Sequence, residues 1–132
     1  MKIIVCIDKN NGMMFNNRRQ SQDKVLISKI IELSSGYDLL TSSYSSNLFN
    51  EYDNVISSDD FLSQADSDSF CFIENTDIPK SDVDEIYIFN WNRDYPADKY
   101  FDFDLDGFKR IKKEDFVGNS HKKITLEIYR RV

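Results

Sequence analysis

The stretch IIVCIDKNNGMMFNNRRQSQDKVL, Ile3 to Leu26, decides how the rest of the chain is read. Its opening, Lys2 to Asp8, is apolar and rich in β-branched residues, the pattern of a strand buried on both faces. Asn10-Asn11-Gly12 then punctuates the run as a turn. Ser21 suits the N-cap of a following helix and Asp23 its first turn, where the helix dipole favours a negative charge. Val25, Leu26, Ile30, Ile31 and Leu33 form an apolar stripe that Gly36 ends, which predicts a helix of about fourteen residues. A strand at Tyr37 to Thr41 completes a βαβ unit.

Downstream the elements shorten. Ser45 to Asn50 reads as a helical turn, Asn54 to Ser57 as a strand, and Asp59 to Ala65 as a short capped helix. SFCFIE (Ser69 to Glu74) and EIYIFNW (Glu85 to Trp91) are further buried strands, separated by a loop around Pro79. Longer strands are predicted at Asp98 to Leu105 and Lys122 to Arg130, with Phe108 to Phe116 as looser pairing material. The implied fold is α/β, one domain over residues 1 to 132. Its sheet is mixed and mostly parallel, with antiparallel C-terminal strands, and one long and a few short helices flank it.

At 132 residues the chain can bury a core without metal or disulfide staples, and ten Phe and seven Tyr make that core dense. A net charge of −6 argues against nucleic-acid binding, which needs a clustered basic surface. Acids concentrate between Asp66 and Asp106 and bases between Lys109 and Val132; this asymmetry can steer a partner or belong to solvated strand faces. Cys6 and Cys71 lie in apolar runs with no CxxC spacing, as buried reduced thiols of a cytosolic protein do. The apolar run in MKIIVCID is too short for a signal peptide or membrane span, so a cytoplasmic location without membrane association is expected.

Taken in order, these segments resemble a dihydrofolate reductase. IVCIDKNNGMMFNN resembles the first strand and turn of that family, and the helix carrying Asp23 resembles the one that carries its substrate-binding acid. EIYIFNWNRDYPADKYFDF resembles the late strand pair, with Ala97-Asp98 and then Phe101 at the family's Gly-Asp-aromatic, and NSHKKITLEIYRR resembles the last strand. The family's cofactor motifs have no counterpart. Its NADPH pyrophosphate rests on the amides of a Gly-Gly turn that opens a helix, but here SFCFIE is followed by Asn75-Thr76-Asp77-Ile78-Pro79. Thr41-Ser42-Ser43-Tyr44-Ser45 replaces a Gly-Arg-x-Thr, and Met14 replaces the second loop glycine.

The resemblance implies a cleft beside Asp23 and Cys6, bordered by the loop of Arg18 and Arg19. These four are the candidate ligand-binding residues; no catalytic residue and no metal ligand is assigned. Asp23 suits a bidentate contact to a charged heterocycle, or simply a helix start. Arg18 and Arg19 suit an anionic ligand, or solvent. His121 is the single histidine, so a His-rich metal centre such as that of a two-zinc hydrolase is excluded. Strand alternation through HKKITLEIY sets it on an exposed polar face. Trp91, Arg93, Tyr95 and Pro96 form an aromatic and basic cluster at a strand end. The expected function is that of a non-catalytic binding or interaction protein on a dihydrofolate-reductase-like fold, with the cofactor site lost and no cofactor. Its partner is an unknown small molecule or protein. The alternatives are a small pterin- or nucleotide-handling reductase with a remodelled cofactor loop, and an interaction module using the acidic 66 to 106 segment.

Overall fold

The computed structural model describes residues 1–132. Strand β1 (Lys2–Ile7) leads through a turn into β2 (Gly12–Phe15) and β3 (Arg18–Arg19), and then helix α1 (Lys24–Leu33). Next come β4 (Leu39–Thr41), α2 (Ser43–Ser46), a turn of 3-10 helix at Asn47–Phe49, β5 (Val55–Ser57), α3 (Phe61–Gln64) and β6 (Phe70–Phe72). The chain ends with β7 (Glu85–Asn90), β8 (Lys99–Tyr100), β9 (Phe108–Phe116) and β10 (Ile124–Arg131).

The main sheet has seven strands in the order β5-β4-β6-β1-β7-β10-β9. β5, β4, β6, β1 and β7 are mutually parallel, and β10 runs against both β7 and β9. This is the mixed, mostly parallel sheet with antiparallel C-terminal strands that the sequence predicts. Period-two alternation divides the core between its faces. Ile4, Phe72, Phe89 and Leu126 pack with Leu26, Ile27 and Ile30 of α1, while Ile3, Val5, Cys71 and Ile86 pack on the opposite side with Met14 and Phe61. The stripe on α1 thus covers one face of the parallel strands.

A second sheet, β3-β2-β8, has three short strands. Asn16 and Asn17, with φ of 51° and 60°, form the two-residue turn between β2 and β3, which pairs Met14 with Arg19 and Phe15 with Arg18. Positive φ at both positions matches the twist of a tight hairpin, and asparagine tolerates it better than most residues.

Four expectations are corrected. The helix is ten residues long, and its N-cap is Asp23 rather than Ser21, because the Asp23 carboxylate accepts from the Val25 and Leu26 amides. The 98 to 105 segment pairs only at Lys99–Tyr100, docked on β2 instead of the main sheet. Phe108 to Phe116 is the longest strand, a nine-residue edge whose side chains are mostly exposed, so pairing with β10 rather than burial defines it. His121 precedes β10, in a turn closed by a Gly118 N–H to His121 carbonyl bond, so strand alternation does not apply to it.

Candidate functional site

Because β4, β6, β1 and β7 are parallel, the residues that follow them leave the sheet at one edge. These are Ser42, Glu74, Asp8 and Trp91. The N-terminus of α1 and the start of the opposed strand β10 return to that edge. In open α/β sheets this is where ligands bind, in the crevice beyond the carboxyl ends of the strands. Two polar neighbourhoods occupy it.

The first centres on Asp23 and His121. His121 Nδ1 lies 3.0 Å from Asp23 Oδ2, and the side chains are 4% and 0% exposed. The Asn119 and Ser120 amides donate to the carboxylate at 2.9 and 2.8 Å, and the Ser120 hydroxyl at 3.2 Å, in addition to the helix-cap bonds. Burial alone would raise the acid's pKa. The Asn119 and Ser120 amides, then the imidazole and the Leu26 amide, outweigh it and hold Asp23 well below the usual carboxylate range. Gly118 permits this packing, since a Cβ there would meet Asp23 Oδ2 at 2.5 Å and Ile124 Cδ1 at 2.9 Å. His121 stacks on Trp91 with centroids 4.6 Å apart, and its Nε2 lies 3.0 Å from Ser21 Oγ and 3.3 Å from Tyr95 Oη. The histidine expected on an exposed face is 5% exposed, because turn and helix start close around it.

Asp8 anchors the adjoining loops. Its Oδ1 accepts from the Asn10 and Gly12 amides, and its Oδ2 from the Tyr95 amide and Gln20 Nε2. Burial again opposes ionisation, and these donors, Gly12 foremost, pull the pKa down.

The second neighbourhood lies beyond β1, β6 and β4. Arg19 Nε and an outer guanidinium nitrogen fork onto Glu74 at 3.0 to 3.3 Å, and the Ser45 hydroxyl donates to the same carboxylate at 2.7 Å. The guanidinium also lies over the Tyr44 ring, 4.6 Å from its centroid. Burial and then the Glu74 charge outweigh Arg19, pushing the Cys6 thiol well above its ordinary pKa and keeping it protonated. No helix follows β6 before β7 begins at Glu85.

The four predicted residues therefore divide. Arg18 and Arg19 border one open cavity of about 600 Å³ with Phe15, Gln20 and Tyr95, and Arg18 is exposed. Cys6 belongs to the Arg19–Glu74 neighbourhood. Asp23 borders a separate cavity of about 630 Å³ between α1 and the 3-10 turn, where its carboxylate is already bound by protein donors. Sequence reasoning missed the roles of Ser21, Glu74 and Ser45, and the environment of His121. The glycine in Gly118-Asn119-Ser120-His121 was the available signal for a tight turn.

The architecture is that of a dihydrofolate-reductase-like protein. A dihydrofolate reductase from Enterococcus faecalis, solved with NADP(H) and RAB-propyl, superposes with a TM-score of 0.68 over 98% of this chain and 95% of that chain, at 11% identity. No protein-family model matches the sequence, and no curated protein matches it.

Proposed function

We propose that this chain is a binding protein on a dihydrofolate-reductase-like fold, in which the nicotinamide cofactor site is lost and the ligand is a small anion. The observation that carries this reading is the Arg19–Glu74 fork. It fills with protein side chains the crevice beyond β6 and β1, where a dinucleotide would need open space and backbone amides. The irregular chain after β6 supports the same reading, since it offers no helix N-terminus for a pyrophosphate. Arg18 supplies the free positive charge of the adjoining cavity. Asp23 and Cys6 support the walls and leave ligand contact to the arginine loop.

Titration with NADPH, followed by Trp91 fluorescence and by calorimetry, tests the loss of the cofactor site. No saturable binding is expected. Micromolar affinity, or folate-dependent NADPH oxidation, overturns the reading.

A further inference from the structure

We infer that Ser21, His121 and Asp23 form a nucleophile–base–carboxylate relay able to transfer acyl groups from small activated esters, an activity beyond the binding role proposed above. The relay is continuous, from Ser21 Oγ to His121 Nε2 at 3.0 Å and from His121 Nδ1 to Asp23 Oδ2 at 3.0 Å. This is the arrangement in which a carboxylate orients an imidazole that activates a hydroxyl, and it recurs on unrelated folds because geometry, not chain position, defines it.

The tautomer follows from the acid. An ionised carboxylate only accepts hydrogen bonds, so the neutral ring carries its proton on Nδ1 and turns the Nε2 lone pair toward Ser21. Asp23 is held by the Val25, Leu26, Asn119 and Ser120 amides, and the ring is held against Trp91, so the base is positioned before any substrate arrives. Ser120 Oγ, 3.1 Å from Nδ1, adds to the grip on the acid side and is remote from the base nitrogen. Ser21 is half-buried between Gln20 and Gln22, which border the two different cavities. Ser21 itself lines neither cavity. Tyr95 Oη lies 3.3 Å from the same Nε2, beside Ser21 Oγ, and Arg18 in the adjoining cavity favours acyl groups that carry a negative charge.

The step balances without a cofactor. Ser21 Oγ bonds to the ester carbonyl carbon while its proton passes to His121 Nε2, and the carbonyl π pair moves onto oxygen. Collapse breaks the bond to the leaving alkoxide, which takes the proton from Nε2. Water then repeats the sequence on the acyl-serine, releasing a carboxylic acid and restoring the hydroxyl. Ser21 and His121 are the catalytic residues, and Asp23 is a positioning residue.

A fluorophosphonate probe on the unmodified protein, read by intact mass and peptide mapping, tests the nucleophile. One adduct on Ser21 is expected, absent in Ser21→Ala. Release of p-nitrophenol from p-nitrophenyl acetate should fall by roughly 100-fold in the same variant. The ¹⁵N spectrum of the His121 ring tests positioning by Asp23, with the proton of the neutral ring expected on Nδ1. No adduct at Ser21, equal hydrolysis by Ser21→Ala, or a neutral ring protonated on Nε2 overturns the relay. The NADPH titration is unaffected by any of these results, so the two readings fail separately.

Discussion

His121 Nδ1 and Asp23 Oδ2 lie 3.0 Å apart although 98 positions separate the residues in sequence. The pair joins the start of α1 to the turn before β10. It thereby fastens the only long helix to the antiparallel side of the sheet.

Asp23→Asn should lower stability by about 2–4 kcal/mol near neutral pH, because the amide nitrogen would face N–H groups that now donate to an oxygen. The acid's folded pKa is depressed, so its contribution is complete above its unfolded value of about 3.9 and declines as pH falls through and below it. Urea unfolding of both proteins at about pH 7 and about pH 3 checks this. The gap between them should narrow at the lower pH.

Gly118→Ala should cost about 2–4 kcal/mol, since its methyl would press on a carboxylate oxygen and on Ile124, both fixed in the core. Thermal melting measures the loss. An unchanged melting temperature would mean that the turn relaxes away from Asp23.

Much of this architecture was legible in the sequence, and the misreadings have physical causes. β1, β6 and β7 are apolar on both faces because parallel strands are covered on both sides, so their composition announces them. FKRIKKEDF does not announce itself, because an exposed edge strand carries little apolar alternation and owes its form to a partner. The same holds for the site. Asp23 is legible as a helix-start residue, but strand alternation extended beyond the strand's first residue sets His121 on a solvent face. Its surroundings, Ser21, Tyr95 and Trp91, arrive from other elements.

Arg19→Met should destabilise by about 3 kcal/mol, because Glu74, 9% exposed at its side chain, would be left buried without its partner. Adding Glu74→Gln should restore part of that loss. A double-mutant cycle by chemical denaturation should therefore return a coupling above about 1 kcal/mol, and simple additivity would show that the pair is solvated.

Asn17→Val should cost about 1–2 kcal/mol, whereas Asn17→Gly should be near neutral, since a β-branched residue is strained at φ 60° and glycine is not. Calorimetric unfolding of the two variants separates backbone strain from loss of the amide side chain.

The Asn16-Asn17 turn has a consequence for charge as well as for shape. In a hairpin, successive side chains point to opposite faces, so a slip of one residue would exchange the surroundings of Arg18 and Arg19. The two arginines are chemically identical neighbours, yet one neutralises Glu74 and the other faces open solvent. Two backbone angles, rather than any property of the guanidinium group, select which cation is spent inside the protein and which stays available to a visitor.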